Sequence, residues 1–186
     1  MLNIKLTADI DDFSQKNVIG RIGGNIPDCL MSYDNEIKDF YFYVTFEHPE
    51  KKGVFLSVFI PKSYDVMVDN NIYPNCSIKV ISHGFSNESD SCNYTNKGIN
   101  KREILGYKES KDDGFITVSD NLDFIQDEVF FYENLISDGY KPFIKIDEDY
   151  YSDEVISGSY IFGYGALYLY KHTSSGEIIA GFWQMS

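Results

Sequence analysis

Cysteine and histidine are the side chains of this sequence that could carry nucleophilic or zinc chemistry. A thiol nucleophile needs a histidine base within hydrogen-bond reach. The sequence offers Cys76 or Cys92 with His83 or His172 for such a pair. Cys76, His83 and Cys92 also form a local cluster, but six and eight residues separate its members, whereas structural zinc sites use short paired spacings. We therefore predict neither a thiol enzyme nor a zinc site.

Carboxylates offer a second kind of chemistry. Asp147, Asp149 and Asp153 could supply oxygen ligands to calcium or magnesium, although no glycine occupies the sixth place that an EF-hand loop requires. A pair of carboxylates could also serve as general acid and base if their surroundings split the two pKa values. A carboxylate-based enzyme or a divalent-cation-binding domain using these three residues is therefore one alternative for the function.

The glycine-containing motifs do not match known catalytic or phosphate-binding signatures. Gly158-Ser159-Tyr160 lacks the second glycine of a nucleophile elbow. Gly23-Gly24 and Gly163-Tyr164-Gly165 fit neither phosphate-loop nor dinucleotide-binding patterns, and they predict a turn and a strand entry that need backbone freedom. The sequence thus predicts no catalytic residue, no metal ligand and no cofactor.

The charge of the chain is unevenly distributed. The 186 residues carry 16 basic and 29 acidic side chains, a net charge of −13. Fifteen of the acidic residues and only four lysines lie between Glu103 and Glu154, so −11 of the charge belongs to this stretch. Such a surface repels nucleic-acid phosphates and anionic lipid and attracts a basic protein. We predict a basic protein partner, no nucleic acid and no membrane.

Tyrosines are interleaved with acidic residues at the end of this stretch, as in an aromatic hot spot surrounded by charge. The predicted partner-binding residues are Asp147, Glu148, Asp149, Tyr150, Tyr151, Asp153, Glu154 and Tyr160. The alternative interpretation is that the carboxylates only keep an aromatic-rich protein soluble and that the tyrosines pack within strands.

Strand patterns dominate the first half. The start, 1–9, alternates apolar and polar residues and predicts a first strand. The aromatic and β-branched runs 39–46 and 54–60 predict an antiparallel hairpin, and 77–81 predicts another strand. The Ser, Asn and Gly-rich stretch 82–100 predicts a long surface loop.

The second half mixes helix and strand patterns. Apolar residues recur at helical spacing from Asp120 to Asp138, with Gly139 as the stop, and predict the best helix of the protein. Segment 141–146 predicts a strand, and 165–171 with 178–184 predicts a C-terminal hairpin. The fold class is α+β with a predominantly antiparallel sheet and one or two helices. We predict a single compact domain, 1–186, with two similar halves, 1–93 and 94–186, as a variant.

Three short segments resemble the YwqG-like bacterial family of uncharacterised proteins. They are 21–27 (RIGGNIP), 143–149 (FIKIDED) and 163–170 (GYGALYLY). They correspond to the family's Gly-Gly-x-Pro turn, its strand ending in Gln-x-Asp, and its Gly-Asp-x-Gly before an aromatic strand. Here an extra residue precedes Pro27, Lys145 replaces the glutamine and Tyr164 replaces the aspartate. The resemblance implies a β-rich α+β domain without an established catalytic residue, with relatives among genes for bacterial toxins and their immunity partners.

These observations together predict a cytoplasmic, acidic protein-binding module. The cysteines are odd in number and form no CxxC pair, which fits reduced thiols, and no run of 18 apolar residues predicts a membrane span. The most concrete function is that of an immunity or antitoxin-like protein that neutralises a basic bacterial toxin domain.

Overall fold

The fold is built from β-strands, and all the pairings between the strands that the structure describes are antiparallel. The computed structural model describes residues 5–11, 17–152 and 154–186. Within these ranges the strands are β1 (Lys5–Ala8), β2 (Ile10–Asp11), β3 (Val18–Ile22), β4 (Phe40–Glu47), β5 (Val54–Pro61), β6 (Lys79–Gly84), β7 (Arg102–Leu105), β8 (Lys108–Ser110), β9 (Ile116–Val118), β10 (Tyr140–Asp147), β11 (Ala166–His172) and β12 (Ile178–Gln184).

The strands form two sheets of six. Sheet I has the order β2-β7-β3-β4-β5-β6, and sheet II has the order β12-β11-β10-β9-β1-β8. The two sheets do not coincide with the sequence halves 1–93 and 94–186, because β7 pairs with β3 in sheet I and β1 pairs with β9 in sheet II. The first and second parts of the chain are therefore interleaved.

Helices are short and few in the described part of the chain. They are α1 (Asp34–Ile37), α2 (Tyr64–Asp69) and α3 (Glu133–Ser137), with 3₁₀ helices at Asp28–Tyr33, Val129–Phe131 and Glu148–Tyr150. The α+β class, mostly antiparallel, is confirmed. None of these helices has the length and apolar character needed to cross a membrane.

The main hydrophobic core lies between the sheets. Val44 and Leu56 of sheet I belong to the same buried cluster as Ile144 and Leu167 of sheet II. Alternate residues of β11 face the other way, so Tyr168 and its outward-facing neighbours join a second cluster on the outer face of sheet II. Both faces of β11 are covered from Ala166 to Tyr170, and these five residues are all apolar or aromatic.

Both predicted hairpins are confirmed. β4 pairs with β5 and β11 pairs with β12, each antiparallel. Gly53 and Gly176 adopt positive φ angles of 79° and 73° in the two connections. The predicted loop 82–100 is partly wrong: β6 extends to Gly84, and the remainder packs down through the buried side chain of Tyr94.

The predicted helix from Asp120 to Asp138 is wrong over most of its length, since only 129–131 and α3 are helical. Sheet II supplies the hydrogen bonds that a helix would have made. The Gln184 Oε1 atom accepts the backbone N–H groups of Ile125 and Gln126, at 3.1 Å each, and Gln184 Nε2 donates to the Gln126 carbonyl at 2.7 Å. The predicted stop is confirmed, because Gly139 follows α3 with φ 84°.

Candidate functional site

The structure buries the first of the predicted partner-binding carboxylates, Asp147, in an ion network. Asp147 is 6% exposed and its Oδ2 lies 3.2 Å from Lys145 Nζ. Lys145 also binds Asp113, whose other oxygen lies 2.7 Å from Lys5 Nζ. Burial alone would lower the pKa of Lys145, but Asp113 and Asp147 outweigh burial and raise that pKa. The Asp147 carboxylate therefore makes its contacts inside the protein, and its prediction as a partner-binding residue is wrong.

Glu148 is also buried, and its carboxylate holds the loop that leads into β11. It is 1% exposed and accepts backbone N–H groups from Ile161 at 2.7 Å, Phe162 at 3.0 Å and Gly165 at 3.3 Å. Burial raises the pKa of Glu148 to about 7, although these three donors favour the charged form. The role of this side chain is structural, and the prediction that Glu148 contacts a partner is wrong.

Two of the predicted tyrosines, Tyr151 and Tyr160, belong to a stack of aromatic rings. The Tyr151 hydroxyl donates to Glu148 Oε1 at 3.4 Å. The Tyr151 ring stacks on that of Tyr160, with ring centres 5.8 Å apart. Tyr160 stacks in turn on Tyr164 at 3.8 Å, and Tyr164 is exposed. Tyr160 and Tyr164 lie in the same loop whose backbone N–H groups Glu148 binds.

The remaining predicted residues lie around this stack or away from it. Asp149 and Tyr150 are exposed on the 3₁₀ helix Glu148–Tyr150. Glu154 is exposed and pairs with Arg102 at 2.6 Å. Asp153 lies outside the described residues. The predicted site is thus divided between buried structural groups and a few exposed ones.

Tyr160 also lines an apolar cleft of about 500 Å³. Tyr41, Ile60, Lys62 and Tyr64 are among the other residues that line it. Lys62 is the charged residue of this lining, and its ammonium group lies 5.6 Å from the centre of the Tyr41 ring. The charge of this cleft does not complement a basic partner.

A dense group of exposed acidic residues lies on the 120–138 segment, the residues from Asp120 to Asp138. This segment contains six acidic residues and no lysine or arginine: Asp120, Asp123, Asp127, Glu128, Glu133 and Asp138. All six are exposed. The segment carries −6 of the net charge on one side of sheet II.

Apolar side chains anchor the 120–138 segment on sheet II. Leu122, Phe131 and Leu135 are buried against the outer face of sheet II, where Phe131 and Phe182 have ring centres 5.2 Å apart. Four large apolar side chains of the same segment point to solvent instead: Ile125, Val129, Phe130 and Ile136, which are 39%, 56%, 52% and 56% exposed. The segment therefore presents apolar and acidic side chains together.

The carboxylates of the segment differ in how far they are already paired. Asp123 lies 2.7 Å from Lys5 and Asp120 lies 2.8 Å from Lys141. Asp127, Glu128 and Glu133 form no ion pair with any residue that the structure describes. These three carboxylates are available to cations from outside the molecule.

A cysteine and a histidine come together elsewhere, in a pair that the sequence analysis missed. Cys29 Sγ lies 3.5 Å from His83 Nδ1, and Ser57 Oγ lies 2.8 Å from His83 Nε2. The Gly84 carbonyl oxygen lies only 2.6 Å from the same Nδ1 atom. A proton on Nδ1 satisfies this carbonyl and leaves no lone pair to accept the thiol proton, so the geometry does not favour a nucleophilic pair.

The predicted cation ligands that the structure describes, Asp147 and Asp149, belong to no group of side chains able to hold a metal ion. Lys145 places a positive charge beside Asp147, which opposes a cation there. Across residues 5–11, 17–152 and 154–186, no three side chains of histidine, cysteine, aspartate or glutamate group so as to hold a metal ion. Burial raises the pKa of the Cys76 thiol to about 11, which disfavours the thiolate that zinc would need.

No model of a known protein family and no curated protein matches this chain. The resemblance to the YwqG-like family stays a prediction.

Proposed function

We propose that this protein is a binding module that takes a basic protein partner on the 120–138 segment. The observation that carries the proposal is that one segment exposes six carboxylates and four large apolar side chains and contains no basic residue. Stable protein interfaces combine a desolvated apolar centre with a charged rim. This segment offers both within nineteen residues.

The exposed apolar side chains distinguish a binding surface from a merely solubilising one. Acidic residues alone would be explained by solubility. Val129 and Phe130, however, are more than half exposed at neighbouring positions, where they oppose solubility. Their exposure beside unpaired carboxylates supports a surface that is covered when a partner binds.

The charge of the segment supports a basic partner in particular. Six negative charges attract a cationic surface over about 10 Å at ordinary ionic strength, and such steering accelerates association about ten- to a thousandfold. Asp127, Glu128 and Glu133 lack internal ion pairs within the described part of the chain, so a partner's lysines or arginines do not have to displace a bound cation.

We further propose that the partner is a basic toxin domain and that this protein neutralises it in the cytoplasm. Segregated acidic charge and the absence of a recognisable catalytic motif in the sequence motivate this role. An immunity protein of this kind acts by covering its target, so it needs a surface and no reaction chemistry of its own.

Growth rescue tests this role. Basic domains encoded beside the gene are expressed in a bacterial host with and without this protein, and rescue of growth is expected for the cognate domain. The triple variant Asp127→Asn, Glu128→Gln and Glu133→Gln should lose the rescue. Asp28→Asn, Asp39→Asn and Asp90→Asn remove the same charge from exposed positions outside the segment and should keep it. Equal rescue by both triple variants would contradict the proposal.

A further inference from the structure

A cleft of about 470 Å³ opens beneath the 120–138 segment, where the segment meets β10 and β11. Its walls include Leu122, Asp123 and Asp127 from the segment, with Tyr132, Pro142 and Tyr170 completing them. Apolar side chains thus alternate with two carboxylates along one depression. Ligand sites in proteins commonly have this composition of apolar walls and a few polar groups.

Tyr170 contributes a buried polar atom that nothing in the described chain satisfies. Its side chain is fully buried, and its hydroxyl has no hydrogen-bond partner among the described residues. An unsatisfied buried hydroxyl is costly, and such groups in a folded protein call for an explanation. Burial raises the pKa of Tyr170, so the hydroxyl stays neutral at physiological pH and can donate or accept a hydrogen bond.

The acceptors of the cleft match an alkylammonium group. Asp127 receives a hydrogen bond from Tyr132 at 3.3 Å and no ion pair from the described residues, and Asp123 binds Lys5 through Oδ2 alone. The Asp127 carboxylate and the Tyr170 oxygen are acceptors for the N–H groups of an ammonium, whereas the charge of Asp123 is already balanced by Lys5. The flexible apolar stem of a lysine suits walls made by Leu122 and Pro142.

We propose that this cleft receives a lysine side chain of the basic partner, with the ammonium bound by Asp127 and the Tyr170 hydroxyl as its innermost contact. The proposal rests on the proposed function for the source of the lysine. Because Tyr170 is covered in the free protein, the lysine enters by displacing a wall. Residues 120–128 form that wall without regular secondary structure.

A titration with a small probe tests the cleft directly. Nα-acetyl-lysine methylamide is added to the full-length protein, and backbone amide shifts are followed by NMR. Shifts are expected at the residues that line the cleft. The norleucine analogue has an apolar side chain of similar length without the ammonium and should produce no such shifts.

Two variants locate the contacts. Tyr170→Phe removes only the hydroxyl and should weaken lysine binding about tenfold, the effect of one hydrogen bond to a charged group. Its melting temperature should be unchanged or higher, because the lost hydroxyl had no partner. Asp127→Asn should weaken binding further. Equal binding of the norleucine probe, unchanged affinity in Tyr170→Phe, or no shifts up to the solubility limit would overturn the proposal.

The outcome separates this inference from the proposed function. If the partner still requires Asp127, Glu128 and Glu133 while the lysine probe ignores Tyr170, the cleft inference fails and the binding surface stands. If the probe binds through Tyr170 and no basic partner binds, the cleft stands and the proposed function fails.

Discussion

Gln184 holds Gln126 with both ends of its side-chain amide. The Oε1 atom accepts the Gln126 N–H at 3.1 Å, and Nε2 donates to the Gln126 carbonyl at 2.7 Å. Gln184 is 2% exposed on β12, and its partner lies in the irregular part of the 120–138 segment. The last strand of the chain therefore positions the surface to which we assign partner binding.

Replacing Gln184 should loosen that surface. Gln184→Leu keeps a similar volume but removes the side-chain partners of the Gln126 backbone groups, which costs about 1–3 kcal/mol for two hydrogen bonds. Urea unfolding measures the loss. Hydrogen exchange should also show faster exchange at Gln126, and protection equal to that of the wild type would contradict this anchoring.

Glu148 should make stability depend on pH. An acid whose pKa is raised by folding, here from 4.5 to about 7, contributes stability that is present below the lower value and lost as pH rises to the higher one. Removing this carboxyl therefore changes how the free energy of unfolding depends on pH. The stability difference between wild type and Glu148→Gln should narrow by about 3 kcal/mol between pH 4.5 and 7.

Comparing wild type with Glu148→Gln is necessary because other groups titrate nearby. Burial lowers the pKa values of His48 and His83, so both histidines destabilise the fold as pH falls below about 6.5. These effects are common to wild type and variant and cancel in the difference, which urea unfolding at several pH values provides. A difference independent of pH would contradict the account of Glu148.

The ion network around Lys145 should be sensitive to loss of its cation. Lys145→Met leaves the nearly buried carboxylates of Asp113 and Asp147 without their shared partner and should cost about 3–5 kcal/mol. Lys141→Met removes a cation from the exposed pair with Asp120 and should cost less than about 1 kcal/mol. Similar losses of unfolding free energy in both variants would refute a special role for the buried network.

Gly165 should not tolerate a side chain. A Cβ atom there would lie 1.8 Å from the Gln184 carbonyl oxygen and 2.5 Å from that of Phe162, both of them backbone atoms. Gly165→Ala should therefore cost more than about 2 kcal/mol. Gly84→Ala is the matched control, since a Cβ there meets nothing within 4 Å. Thermal unfolding compares the two, and equal midpoints would contradict the close approach.

The hairpins could be predicted from sequence because their determinants are local. Alternating apolar residues with Gly53 or Gly176 between them define β4/β5 and β11/β12. The error at the 120–138 segment has a non-local cause, since Gln184 lies far along the chain from the backbone groups it binds. Apolar spacing alone could not show that a side chain of β12 replaces helical hydrogen bonds.

The distribution of charge in the sequence identifies the acidic half of the chain, but it does not show which of the carboxylates there are exposed. Asp147 and Glu148 stand in a run of acidic residues and look accessible in the sequence. Their burial depends on Lys145, which belongs to the same strand as Asp147, and on the loop N–H groups of Ile161 and Phe162, which only the folded chain brings to Glu148. The lack of lysine and arginine distinguishes the 120–138 segment in the sequence. The helical pattern, however, did not indicate which of its apolar side chains are exposed.

The affinity for the cognate basic domain tests the central claim most directly. Isothermal titration compares wild type, the triple variant at Asp127, Glu128 and Glu133, and the control triple variant at Asp28, Asp39 and Asp90. We predict that the first triple variant weakens binding at least about a hundredfold, at roughly 1 kcal/mol for each lost charge contact, while the control stays within a fewfold of wild type. Equal weakening in both triple variants, or none in either, would contradict partner binding on the 120–138 segment.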